Sequence, residues 1–340
     1  MTGPTPPEGR ARLSVLDLAI VSEGATSADA LAATTALARR ADELGLTRFW
    51  VAEHHNMPSV ASTAPPVLIA HLAGVTSRIR VGSGGVMLPN HPPLVVAEQF
   101  AMLEALHPGR IDLGIGRAPG TDQATAVALR RSVEALGAED FPQHLLDLMG
   151  LLGDARQAEG MWQRFSATPA AAGAPEIVLL GSSGYSAQLA GLLGLPFSFA
   201  HHFDISGVRQ AVDLYRRSFR PSERLASPYV IVAANALVAP TEEEAAFEAA
   251  PGQLRMLGIR TGRFGPVPSP QTAAAHPDLE AARRMPTNRI FGPPELVVER
   301  LDQLARDTAA DELMVTTVTH GLAARLQSLA LLAEAWRAAG

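Results

Sequence analysis

The chain contains no cysteine, which removes disulfides, thiolate metal sites and cysteine nucleophiles together. It contains no lysine either. All 28 basic residues are arginine, against 34 acidic ones, for a net charge of −6. Alongside heavy use of alanine, this reads as GC-rich coding. No basic stripe of the size that nucleic-acid binding needs is present. No run of 18 apolar residues occurs, so no membrane span is expected. Residues 1–12 are rich in proline and glycine and lack an apolar h-region, so they read as a flexible tail without a signal peptide, and a cytoplasmic protein is expected. What remains is core-forming: 47% hydrophobic and 18% charged over 340 residues. That suffices for two average domains or for one barrel with insertions.

Apolar, extended runs alternate with helical stretches. Residues 13–21, 48–53, 80–88 and 110–116 read as strands, followed by helices over about 26–44, 64–74, 94–106 and 122–152. Further strands are expected at 176–181, 197–201, 228–239 and 312–319, with helices near 185, over 206–217, from Thr241, and over 322–338; another helix over 293–309 precedes the last strand. Thr241 followed by three glutamates is a helix start. Eight strand–helix units predict a (β/α)8 barrel over residues 13–340, with an open doubly wound sheet as the structural alternative. Insertions are expected after the fourth strand (154–175) and the seventh (251–290). The second is too long for an ordinary loop, which leaves a linker or an active-site lid.

The second strand ends in "AEHHN" (residues 52–56), an acid and two histidines side by side. Neighbouring strand residues point to opposite faces, so His54 and His55 are poorly placed for one metal ion, and neither His-x-His nor His-Glu-x-x-His occurs. A single histidine at the carboxyl end of a barrel strand suits proton transfer. A polar strand end is the plainer alternative. In "VGSGGVMLPNHPP" (81–93), Gly84 and Gly85 interrupt a strand, so either a bulge or a flat ligand requires the missing side chains. In "RIDLGIGRAPGTD" (110–122), Pro119 occupies the place of the third glycine of a dinucleotide fingerprint. Arg117 reads as a cation for a phosphate or carboxylate, or as a solvated surface residue. In "IVLLGSSGYSAQLAG" (177–191), a serine-rich turn opens a helix, which fits either an anion site or simple capping by Ser183 or Ser186.

Taken in order with "LLGSSGYSAQLAGLLGLPFSFAHHF", these stretches resemble the bacterial luciferase-like flavin-dependent oxidoreductases, in particular their luciferase-like group 1 proteins, over about residues 13–338. The resemblance implies a (β/α)8 barrel with FMN at its carboxyl-terminal mouth. It implies His54 as the active-site histidine and a cis bond between Gly84 and Gly85 under the flavin ring. Arg117 would contact the flavin phosphate, with Ser182, Ser183, Gly184 and Tyr185 as the phosphate turn and His201 beside the ring. Residues 251–290 would be a mobile loop over the site, and no metal is expected. The implied activity is monooxygenation of a small organic substrate by reduced FMN and O2 through a C4a-(hydro)peroxyflavin. A separate NAD(P)H:flavin reductase would supply reduced flavin, and a homodimer would form through the helices after the second and third strands. Gly116 stands where the luciferase subunit has a reactive cysteine, so light emission is not implied. A deazaflavin-dependent hydride transferase and a non-catalytic flavin-binding protein remain as alternatives.

Overall fold

The computed structural model describes residues 10–118, 121, 123–130, 140–154, 163–203, 206–263 and 265–339. Eight parallel strands close into a barrel: β1 (Arg12–Asp17), β2 (Arg48–Val51), β3 (Arg80–Met87), β4 (Ile111–Gly116), β5 (Glu176–Gly181), β6 (Phe197–Phe199), β7 (Val230–Val238) and β9 (Glu312–Thr316). Closure runs through the β6–β7, β7–β9 and β9–β1 pairings, so the open sheet is excluded. A short strand, β8 (Ile290–Gly292), pairs with the end of β7 (Ala236–Val238) and is additional to the barrel. Sequence reading missed it because three residues carry no period.

Each strand alternates between two cores. Phe49, Val51, Phe197 and Phe199 face the surrounding helices, whereas Leu16, Trp50, Val178, Ile231 and Met314 fill the barrel interior. Single-residue alternation thus sorts every strand into a packing face and a site-facing face. The helices α1 (Ser27–Glu43), α2 (Pro65–Val75), α3 (Pro93–Leu106), α6 (Gly184–Leu192), α7 (Val208–Ser218), α11 (Pro294–Thr308) and α12 (Leu322–Ala338) follow their strands. Local chemistry sets their starts. Thr26 and Asp29 form a capping box on α1, and Thr241 Oγ1 accepts from the Glu244 amide at 3.2 Å, starting α8 (Glu242–Arg260) as expected.

Three sequence expectations change. The single helix expected over 122–152 is α4 (Gln123–Arg130) and α5 (Phe141–Leu151), and residues 131–139 lie outside the described residues. Residues 10–12, assigned to a free tail, are fastened down. Arg10 lies 4.3 Å from the Trp336 ring centroid, and the Trp336 indole donates to the Ala11 carbonyl at 3.2 Å. The 251–290 stretch is not a plain loop. It finishes α8 and continues through α9 (Pro270–Ala274) and α10 (Leu279–Arg283), which bury a small core of Ala250, Leu254, Ala273, Leu279 and Ala282. Its connecting segment is stitched to the stretch after β1 by Val267, whose amide donates to the Val21 carbonyl at 3.0 Å and whose carbonyl accepts from the Glu23 amide at 2.7 Å.

The amino-terminal end of the barrel is closed by charge. Arg48, buried, donates to Glu312 at 3.1 Å and Glu176 at 2.9 Å and lies 3.0 Å from Asp112. Arg80 donates to the other Asp112 oxygen at 2.7 Å, and the Trp50 indole completes Asp112 at 2.9 Å. Tyr229 and Ser14 donate to Glu312. Burial opposes the charge on Arg48, but Asp112, Glu312 and Glu176 outweigh it and hold its pKa well above the ordinary value. Burial likewise opposes ionisation of Asp112, and Arg48 and Arg80 reverse that, leaving its carboxyl below the usual range. The floor is a paired plug of opposite charges.

Candidate active site

A cavity of about 240 Å³ opens at the opposite, carboxyl-terminal end of the barrel, where this fold places its chemistry. Its walls are unequal. Leu16, Leu18, Ala52, Leu180 and Met314 make an apolar floor, while Arg117, Ser182, Ser183 and Ser186 form one polar end, with His54 and His202 also in the lining.

The adjacent histidines separate as strand alternation requires. His54 lines the cavity. His55 turns to Glu53, donating from Nε2 to Oε1 at 2.9 Å; His91 reaches the same oxygen at 2.9 Å. Glu53 is buried and also accepts from the Met87 amide at 3.0 Å. Burial opposes its ionisation, but the bonds from His91, His55 and Met87 prevail and keep its carboxyl below the ordinary range. This anion ties the end of β2 to the turn after β3 and so fixes the stretch carrying His54. Among the described residues no cluster of histidines and carboxylates could hold a metal ion.

Gly84 and Gly85 both line the cavity, and the bond between them is cis. Packing accounts for the missing side chains. A Cβ at Gly84 would sit 2.7 Å from Leu16 Cδ1 and 3.2 Å from Trp50; one at Gly85 would sit 2.8 Å from the Gly114 carbonyl oxygen. The register between β3 and β4 shifts at the same point, between Gly84 and Val86. The bulge and the bare cavity wall are therefore one feature. At Gly116 a side chain would come within 2.8 Å of Met87 Sδ, also in the lining.

At the polar end, Arg117 follows β4 directly, and its guanidinium lies 4.2 Å from the Tyr185 ring centroid. Tyr185 is not in the lining; it supports the arginine from behind. Ser183 is the N-cap of α6, yet its side chain makes no capping hydrogen bond, so simple capping does not explain this turn. Ser182, Ser183 and Ser186 reach the lining. Gly184, the first residue of α6, is absent from the lining, so among the turn residues the two adjacent serines face the cavity.

His201 was expected in the lining, but the neighbouring His202 occupies it. The His201 carbonyl accepts instead from the Asn288 side-chain amide. In β6, Phe197 and Phe199 pack outward, so Ser198, Ala200 and His202 turn inward. Counting that alternation would have chosen His202. Its Nδ1 faces the Ala233 carbonyl at 3.3 Å, so Nδ1 carries the proton and Nε2 is left as an acceptor. Desolvation, then His201, His54 and Arg255, push its pKa down to about 4. His202 is neutral at physiological pH.

The luciferase-like monooxygenase family matches residues 12–312. The chain belongs to that family. It is 41% identical to a luciferase-like monooxygenase of Escherichia coli (strain K12) over 322 residues, covering 94% of this chain and 95% of that one. The crystal structure of apo-MsnO8 superposes with a TM-score of 0.88 at 39% identity, covering 96% of this chain and 98% of the other. The oxygenating constituent of 3,6-diketocamphane monooxygenase from Pseudomonas putida, in complex with FMN, shares the fold at a TM-score of 0.70 and 19% identity, covering 96% and 98%. Among the described residues no helix is long and apolar enough to cross a membrane.

Proposed function

We propose that this protein is an FMN-dependent monooxygenase that inserts one oxygen atom from O2 into a small organic molecule. One observation carries the reading: an apolar-floored cavity meets an arginine and three serines at one end and a histidine pair in the same lining. FMN has the matching parts, a flat ring system and a phosphate dianion. The fit is chemical at each place. Gly84 and Gly85 present backbone without side chains on one wall. Arg117, Ser182 and Ser183 offer donors for phosphate at the opening of α6, whose free amides add to them. Gly184 and Tyr185 serve this site by starting the helix and by supporting Arg117. The FMN complex of the diketocamphane monooxygenase, a protein of the same fold, adds support.

When bound in reduced form, FMN supplies the two electrons that split dioxygen, one atom going to the substrate and the other leaving as water. The remaining work belongs to the chain. Leu16, Leu180 and Met314 keep water from the cavity floor. His54, on a stretch anchored by Glu53, holds or delivers a proton at its imidazole. His202, neutral, offers Nε2 as an acceptor and does not compete as an acid. Residues 251–290, latched to the stretch after β1 through Val267, serve as the cover of the site. Reduced FMN comes from a separate NAD(P)H:flavin reductase. A homodimer forms through α2 and α3, which leave Val67, Met102 and Leu106 exposed, and light scattering of Met102→Glu against the parent protein tests that contact.

Fluorescence titration with FMN and with the deazaflavin coenzyme, followed by oxygen uptake with reduced FMN, tests the main reading. FMN binds in preference to deazaflavin. His54→Ala keeps FMN affinity while turnover falls by roughly 10²–10⁴. Unchanged turnover removes His54 from the chemistry, and preferential deazaflavin binding replaces monooxygenation with hydride transfer.

A further inference from the structure

Two half-buried arginines near the cavity each keep one guanidinium nitrogen shielded from solvent, with no counter-ion among the described residues. Arg255 projects from α8, and Arg289 immediately precedes β8. Among the described residues no acceptor reaches Arg255 Nε or Arg289 Nη2, and neither guanidinium takes part in an ion pair. Glu248, the α8 carboxylate a turn or two away, accepts from Thr319 at 2.7 Å instead. The two like charges are held together by the fold. A Cβ on Gly252, one turn before Arg255, would sit 2.7 Å from the Val318 carbonyl oxygen and 2.7 Å from Arg289 Nη1, so the bare glycine lets α8 pack against that backbone with the guanidinium alongside. Burial pushes Arg255 down to about 10, and burial with the Arg255 charge does the same to Arg289.

Position ties the pair to the site. Asn288, next to Arg289, donates to the His201 carbonyl at the end of β6. Arg255 lines a second cavity, of about 350 Å³, between α8 and the segment leading into α9. A guanidinium nitrogen shielded from water without an acceptor is costly, and a second cation nearby adds to the cost. Such an arrangement is explained when an anion occupies it during function.

We propose that Arg255 and Arg289 bind the carboxylate of an organic-acid substrate and so present its apolar part to the FMN cavity. The inference names the substrate class for the monooxygenase reading and rests on it. Guanidinium donors match the two oxygens of a carboxylate, and one end fixed in this way sets which carbon or heteroatom lies near His54. The Ser182–Ser183 turn and Arg117 lie after β5 and β4, on other elements, so the phosphate and the carboxylate do not compete for the same donors.

The test uses FMN-loaded protein and two matched pairs of probes, hexanoate with hexanamide and benzoate with benzamide, followed by calorimetry and by thermal unfolding. At least one carboxylate binds tenfold or more tightly than its amide and raises the midpoint of unfolding. Arg255→Met and Arg289→Met abolish that preference, and each raises the unfolding midpoint in the absence of probe, because a guanidinium nitrogen shielded without an acceptor is gone. Equal binding of acid and amide, no binding of either carboxylate, or unchanged preference in both variants overturns the proposal. FMN affinity, read separately by fluorescence, is unaltered in both variants. Failure of FMN to bind the parent protein while carboxylates still do so refutes the monooxygenase reading and leaves the anion site standing.

Discussion

Two pairs of arginines occupy opposite ends of the same barrel, and their surroundings differ in one respect. At the floor, Arg48 and Arg80 meet Asp112, Glu176 and Glu312, each within hydrogen-bonding reach of a partner. At the mouth, Arg255 and Arg289 meet no carboxylate among the described residues. Both pairs hold guanidinium atoms away from solvent, but only the floor pair is neutralised among the described residues. The floor pair completes the fold, because each charge there is matched by another part of the same chain. The mouth pair leaves its charge for something from outside. The fold thus carries a satisfied network where nothing has to enter and an unsatisfied one where a ligand does.

The comparison can be broken at either end, and the largest effect is expected at the floor. Arg48→Met leaves Asp112 and Glu312 buried with fewer donors, and a loss of about 3–5 kcal/mol in urea unfolding is expected. A loss below about 1 kcal/mol would mean that the plug is not needed for stability.

Next comes pH. His202 has its pKa lowered from the ordinary 6.5 to about 4, so between these values the unfolded chain binds the proton and the native one does not. Stability from this group is present above pH 6.5 and is lost as pH falls toward 4, by up to roughly 3 kcal/mol. His202→Gln flattens that part of the stability profile, and an unchanged slope would place the proton uptake elsewhere. Arg117→Ala comes third: it weakens FMN binding about tenfold, or roughly 1.4 kcal/mol, with little change in stability. Equal dissociation constants for parent and variant would take Arg117 out of the phosphate site. The smallest effect has the opposite sign. Arg289→Met stabilises the ligand-free protein by about 1 kcal/mol, read as a rise in the unfolding midpoint, whereas a fall would show that Arg289 already has a partner.

Much of this was legible before any coordinates. Alternating apolar runs and helices gave the barrel, since each strand needs a helix to cover its outer face. His54 was legible from its place at a strand end, and Arg117 from its place just past β4. Glu53, His54 and His55 follow the two-residue period even beyond the last paired residue of β2, so the histidine pair divides between cavity and anchor. The same rule sets His201 off the lining. Phe197 and Phe199 fix the outward face of β6, and counting on from them leads to His202. The floor network also leaves a trace, a charged residue at the first or second position of β2, β3, β4, β5 and β9. Arg255 and Arg289 leave none. They lie on an insertion helix and in the turn before a three-residue strand, and their meeting depends on how Gly252 lets α8 settle against the end of the barrel.

The central claim is that the carboxyl-terminal cavity binds FMN with its phosphate at Arg117 and the Ser182–Ser183 turn. A calorimetric titration of the purified protein with FMN, beside the same titration with riboflavin, tests it most directly. The account predicts one site, with FMN bound at least tenfold more tightly than the phosphate-free riboflavin and that margin lost in Arg117→Ala. No heat with FMN, or equal affinity for the two flavins, would contradict it.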